Sequence, residues 1–297
     1  MDDGPTDVQF GPGTMIACSS WDGIVRIIDV ATQQIRSKFD LKAPTLSCVW
    51  GSRNTTHVYC GGAEQRLSVF DAESGRLWDF GGNHAAAICA VCPIPQGSII
   101  SGSYDGTIQL ADSRSKEGVF YPTESKIISM ACSDNQLIVG MASKEVAQYD
   151  IRRLSVPVRR KVMHFLDPIR TVAIQDNVFA ISSVRSRVSI DRWGQPQSDY
   201  TFRCHNDKKY GYSVNSLVFR GPEHLTTGGA DKTVQLWNLR QRKRIGEFPA
   251  LPASVQKLSY SSDGLQLVAA ICDDQYTRDI TCAVRIPGAI MAINVDS

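Results

Sequence analysis

The sequence has no long hydrophobic run. No apolar stretch in its 297 residues approaches the ~18–20 that a membrane-spanning helix needs. Cysteine is sparse, nine in all, too few for a disulfide scaffold. The acidic N-terminus MDDGPTDVQF lacks the apolar stretch of a secretory signal. The C-terminal AINVDS carries neither a prenylation nor a retention signal. These absences predict reduced thiols in a nuclear or cytoplasmic protein, with the sequon at Asn54 unglycosylated. Catalytic motifs are missing too. There is no GxSxG elbow, HExxH, Walker loop or dinucleotide glycine pattern. Cys89 and Cys92 lie in an alternating stretch, ICAVC, where residues three apart face opposite ways, so they are not expected to share a metal. The reading therefore expects no metal, no cofactor and no enzyme. With 42% apolar and 21% charged residues, the chain is also not a mainly disordered one.

What is present is a repeat. CSSWDGIVRIIDV (from Cys18), CGGAEQRLSVFDA (from Cys60), ISGSYDGTIQLAD (from Ile100) and TTGGADKTVQLWN (from Thr226) share one pattern. Two small residues precede a turn position, and an alternating strand closes on Asp or Asn seven residues after it. Weaker copies, VGMASKEVAQYD, ISSVRSRVSIDR and VAAICDDQYT, place turn positions at Ser143, Arg185 and Asp273. The last would lead by a longer connection to the strand TCAVRI. A period of about 40–45 residues with four strands per unit predicts an all-β, seven-bladed WD-repeat β-propeller, one domain over residues 1–297. Each turn carboxylate would accept backbone hydrogen bonds, which assigns structural turn roles to Asp22, Asp105 and Asp231. Asp22-Gly23 and Asp105-Gly106 are also favoured hairpin dipeptides. Small residues before the turn would let the inner strands crowd the central channel. WD-repeat proteins often place a histidine where His84 stands, to bond the turn Asp, so His84 is read as structural.

The stretch from Phe202 to Phe248, FRCHNDKKYGYSVNSLVFRGPEHLTTGGADKTVQLWNLRQRKRIGEF, resembles the Bub-three/Gle-two family of mitotic-checkpoint proteins and mRNA-export factors. Further matches are SSWDGIVRIIDV, His84-Ala85, SGSYDGT and ISSVRSRV, so the likeness reaches nearly all blades. Trp21-Asp22 after two serines and Gly228-Gly229 favour the checkpoint branch. The resemblance implies an adaptor that holds a linear Gle-two-binding segment across the top of the propeller. It implies as partners a checkpoint kinase or its pseudokinase-like relative, and a phosphorylated kinetochore scaffold. Ubiquitin, the checkpoint inhibitor complex and a nucleoporin are further partners it allows. It implies a monomer apart from partners, located in the nucleus, at the kinetochore and in the cytoplasm, with no membrane contact. The export branch, or direct nucleic-acid binding, is the alternative.

Net charge is only +2, yet it is unevenly spread. From Asp150 to Arg244, 18 Lys and Arg stand against 8 Asp and Glu, while the rest of the chain is net acidic. Such asymmetry points to an anionic partner for one sector. In a blade, the turn between the second and third strands and the connection to the next blade share the top rim. That places Trp21, Tyr104, Arg185, Arg187 and Lys232 on turns, and Arg203, His205, Lys208 and Lys209 on the connection into blade 6. The reading gathers the cations on blades 5 and 6, with Trp21 and Tyr104 as apolar anchors opposite. Two departures from the family stand out. Asn206 follows Cys204-His205 where relatives carry a basic residue, and the N-terminus is too short for a ring-closing strand. Residues 289–295 are the candidate substitute.

Overall fold

The computed structural model describes residues 3–52, 55–112, 114–165, 167–273 and 288–295. It shows seven antiparallel sheets in chain order, six of four strands and one of three. These are the blades of a β-propeller, as the period predicts. Strands a to d run outward within each blade. In blade 5 they are Ile169–Gln175, Val178–Ser183, Arg187–Arg192 and Tyr200–Arg203. The second strands are buried almost throughout, and hydrophobic clusters fill the spaces between blades. One of them joins Cys92 and Ile100 of blade 3 to Met130 and Leu137 of blade 4. The expected strand TCAVRI lies outside the described residues.

The repeat's small residues have a different role from the one expected. A Cβ at Gly61 would strike Ile88 and Val91, at Gly102 Met130 and Ile127, at Gly140 Val172 and Ile169, and at Gly228 Val255 and Leu258. Each of these partners is on strand a of the next blade. The small residue thus makes room for the neighbouring blade rather than for crowding at the channel. The closing Asp or Asn caps the bottom turn. Its side-chain oxygen accepts the backbone N–H of Ala31 (from Asp29), Glu73 (Asp71), Arg114 (Asp112), Arg152 (Asp150) and Gln241 (Asn238), at 2.8–3.1 Å. A strand of five or six residues joining a top turn to a bottom cap explains the fixed offset of seven.

Strand a carries a β-bulge near its top in all seven blades, at Thr6, Leu46, Cys89, Ile128, Arg170, Asn215 and Gln256. A bulge inserts one residue and reverses the alternation. This corrects the reading of the cysteine pair. With Cys89 bulged, Cys89 and Cys92 pack against the same cluster. Even so, no group of three metal-ligating side chains forms among the described residues.

Ring closure also differs from the expectation. Ala289–Asn294 pairs with Gln266–Cys272 as the third strand of blade 7, and does not reach the sheet of blade 1. Blade 7 meets blade 1 through side chains. Val8, Phe10, Ile16 and Cys18 pack on Val268 and Ala270. Ser259 Oγ accepts the Phe10 N–H at 3.0 Å, and Lys257 Nζ lies 3.4 Å from Asp7.

Candidate binding rim

The top rim is built on turns whose geometry is fixed from below. In six blades the residue before the turn position donates its N–H to a carbonyl at or just before the start of strand a. Trp21 donates to Gly4 O at 3.1 Å, Tyr104 to Ala87 O at 3.0 Å and Val184 to Pro168 O at 3.1 Å. Asp22, Asp105 and Asp231 accept the N–H of Ile24, Thr107 and Thr233 at 2.9, 2.8 and 3.2 Å.

His84 meets the turn carboxylate of blade 3. It is buried, with Nδ1 2.8 Å from Thr107 Oγ1 and 3.3 Å from Asp105, and Nε2 2.9 Å from Ser101 Oγ. His205 does the same in blade 6, which corrects its assignment to the binding site. Its ring is 1% exposed. Nδ1 lies 2.8 Å from Asp231 Oδ1 and Nε2 lies 2.7 Å from Thr227 Oγ1, so neither nitrogen faces a ligand. Blade 1 has no such histidine. Arg26 takes its place, buried, with its NH2 2.6 Å from Asp22 Oδ2. Burial would raise the Asp22 carboxyl, but hydrogen bonds from Arg26 and Ser20 hold it below the usual carboxylate range.

Burial lowers the pKa of His84, against the opposing pull of Asp105. The folded state therefore prefers the neutral ring. Its stabilising contribution is complete above the ordinary value of 6.5 and is lost as pH falls through the lower folded value. Thermal melts should show a lower midpoint at about pH 5.5 than at about pH 7.5, a window set by the ordinary histidine value. The difference should shrink in His84→Gln. Equal shifts in both proteins would remove His84 as the source.

The large apolar candidates are exposed, Trp21 at 53% and Tyr104 at 39%. They stand on blades 1 and 3 and are not adjacent. The cations divide into two groups, which corrects the single cluster on blades 5 and 6. Val188 and Phe202 pack toward blade 6. Because side chains alternate along a strand, Arg187 and Arg203 face blade 4. Lys161 of blade 4 marks that same face, reaching Asp191 at 2.6 Å and Asp199 at 2.9 Å. Arg187 and Arg203 are direct cross-strand partners. The two carboxylates of that face are held by Lys161, and neither arginine forms an ion pair among the described residues. Like charges placed opposite one another are destabilising. Arg185 lies beside them, 75% exposed, with only Asp167 at 3.8 Å. Lys208 and Lys209 form the second group, on the exposed tip of a hairpin closed by the Asn206–Gly211 bridge. Lys209 Nζ sits 5.0 Å from the Tyr210 ring. Half-buried Lys232 is on the neighbouring turn of blade 6.

Sequence reasoning missed Arg170. It is exposed on strand a of blade 5, where that strand opens onto the channel mouth. Aligning the strand-a bulge positions of the seven repeats would have found it, because the other six are uncharged.

Among known proteins, the WD domain, G-beta repeat model matches residues 76–112 and 196–238. The chain is 29% identical over 287 residues to the spindle assembly checkpoint protein bub3 of Schizosaccharomyces pombe, covering 91% of this chain and 88% of that protein. It is 29% identical to the mitotic checkpoint protein bub-3 of Caenorhabditis elegans, over 90% of this chain and 82% of that one. It is 26% identical to a Poly(A)+ RNA export protein of Schizosaccharomyces pombe, over 92% of this chain and 82% of that protein.

Proposed function

We propose that this chain, a WD-repeat protein of the mitotic-checkpoint type, is a non-catalytic adaptor that captures an acidic or phosphorylated linear segment on its top rim. The observation that carries the reading is the opposed pair Arg187 and Arg203. Two arginines are cross-strand partners and neither forms an ion pair among the described residues, an arrangement that an incoming carboxylate or phosphate would relieve. Exposed Trp21 supplies an apolar anchor of the kind enriched at binding hot spots. The partners are a checkpoint kinase, or its pseudokinase-like relative, carrying a Gle-two-binding segment, and a phosphorylated kinetochore scaffold. The site of action is then the nucleus and the kinetochore. With Asn206 in place of a base, phosphate reading falls to the arginine pair, to Arg185 and to the lysine hairpin.

The likeness to the RNA-export protein supports a second reading, an export adaptor using the same rim. Titration of the protein with a synthetic kinase segment, a nucleoporin segment and a single-stranded RNA separates these. The kinase segment should bind tightest, and Trp21→Ala should weaken it by about tenfold or more. Preference for the nucleoporin segment would move the protein to export. RNA binding alone, with a steep salt slope, would replace the peptide reading with a phosphate-backbone one.

A further inference from the structure

Six junctions of the ring share one contact. The residue just before the closing position of each third strand is covered by a side chain from the outermost strand of the preceding blade. Phe39 stacks on Phe70, and Phe202 packs on Trp237. Lys161 reaches Asp191 at 2.6 Å. Phe80 shares a cluster with Ala111, Tyr121 with Tyr149 and Phe248 with Ile293. The covering residue always sits opposite the residue four before its own blade's closing position. Phe39 pairs with Val25, Phe80 with Leu67, Tyr121 with Ile108, Lys161 with Val146 and Phe202 with Val188, while Phe248 donates its N–H to the Val234 carbonyl.

The seventh junction, from blade 7 to blade 1, leaves this socket open among the described residues. Its floor is Ile28, one before Asp29. Ile28 is half-buried, where Phe70, Ala111, Tyr149 and Asp191 are at most 3% exposed. Asn294 pairs with Gln266 as Asp29 pairs with Met15, so Ile290 stands four before the closing position of blade 7. Ile290 packs beside Ile28 and Val30. The outer edge of Ala289–Asn294 has no strand beside it among the described residues. A cavity of about 510 Å³ lies against it, walled by Ile16, Ile28, Val30, Ile35, Val268 and Ile290. Arg26 is the one charged residue on the wall, and Asp22 holds it at 2.6 Å.

An open sheet edge presents a row of backbone donors and acceptors, and strand addition to such an edge is a general mode of peptide recognition. We propose that an extended segment of a partner protein adds antiparallel to Ala289–Asn294 as the fourth strand of blade 7, with a large apolar side chain opposite Ile290 that covers Ile28. The wall offers no unpaired charge, so the inward face of the segment is apolar, in contrast to the acidic segment read for the rim. A second copy of this chain fits less well. Two such edges paired about their middle set Ala292 or Asn294 opposite Ile290, and neither is a large apolar residue. The inference stands apart from the rim reading.

The probe is a synthetic peptide, QIRSKFD, which copies the outermost strand of blade 1, beside one with its phenylalanine changed to serine. Hydrogen exchange of wild type, Ile28→Trp and Trp21→Ala is followed as each peptide is titrated to millimolar concentration. The parent peptide should slow exchange at Ala289–Asn294 in wild type and Trp21→Ala. The serine peptide should bind about 10- to 100-fold more weakly, the value of burying one aromatic side chain. Ile28→Trp fills the socket from its floor, and should abolish the protection while melting no lower than wild type. Equal protection by both peptides, or no protection by either, would overturn the proposal. So would protection that Ile28→Trp keeps or that Trp21→Ala loses, the latter marking binding at the rim. An edge already protected without peptide would assign it to this chain's own residues if the protein is a monomer, and to a second copy if it is a dimer.

Discussion

His205→Leu should destabilise the protein by about 3–4 kcal/mol. The histidine is the centre of a chain of four side chains. Trp237 Nε1 donates to Thr227 Oγ1 at 3.2 Å, Thr227 meets His205 Nε2 at 2.7 Å, and His205 Nδ1 meets Asp231 at 2.8 Å. Every group is satisfied when the bonds run in one direction, from indole to hydroxyl to imidazole to carboxylate. Leucine removes two bonds at once. It leaves a buried hydroxyl without its acceptor and a largely buried carboxylate with only the N–H and hydroxyl of Thr233 as donors. The chain ties four pieces of blade 6 together: the connection from blade 5, the second strand, the top turn and the third strand. Gly229 belongs to the same device, because a Cβ there would strike both the imidazole and the carboxylate. Thermal unfolding followed by circular dichroism should show a midpoint about 6–16 °C below wild type, at about 2–4 °C per kcal/mol for a chain of this size. A midpoint within about 2 °C would mean that the tetrad contributes little and that the blade rests on its apolar packing.

Arg187→Glu should move binding and stability in opposite directions. Reversing the charge removes one donor fork from the rim and sets a carboxylate where the ligand's anion would lie. Truncating or reversing one partner of such a charge pair costs about 2–4 kcal/mol, so affinity for the acidic segment should fall about 30- to 1000-fold. The folded protein should gain. The new carboxylate sits directly opposite Arg203, turning a like-charge cross-strand pair into an attractive one worth about 0.2–1 kcal/mol. Isothermal titration together with a thermal melt reads both effects. A structural arginine would lose stability along with binding, so a clear fall in melting temperature would argue that Arg187 holds blade 5 together instead. Binding reduced by less than threefold, an energy under about 1 kcal/mol, would place the anion site elsewhere.

The architecture was legible because it repeats. A turn position at one end of a strand and a closing position at the other impose a spacing of seven that appears six times, with a seventh turn position at Asp273, so the blade count could be read before any contact was known. His84 was legible for the same reason. What failed was anything that depends on which way a side chain points. His205 looked available because it follows Arg203 in a basic run, but the chain turns inward at Cys204, and the imidazole is taken by Asp231 and Thr227. The cations at 185–209 are close in sequence but divide in space, since alternation sends Arg187 and Arg203 toward blade 4 while Lys208 and Lys209 stand on the hairpin leading into blade 6. Bulges are invisible to a reading that assumes a period of two, which is why such a reading puts Cys89 on the wrong face and overlooks Arg170.

The seam between blades 7 and 1 has a mechanical consequence. At every other junction the chain itself passes from one blade to the next, so two neighbouring sheets cannot part without stretching a connection. At this junction no strand pairing joins the two sheets among the described residues; Val8, Phe10, Ile16 and Cys18 pack on Val268 and Ala270, with the Phe10–Ser259 hydrogen bond and the Lys257–Asp7 ion pair beside them. A circle stitched by its own thread in six places and merely pressed together in the seventh has a built-in parting line. When this molecule breathes, the first amides to exchange with deuterated water should be those along that line, and a tether pulling on the rim is best borne by the blades farthest from it. The junction of blades 4 and 5, where the arginine pair waits, lies on the opposite side of the ring.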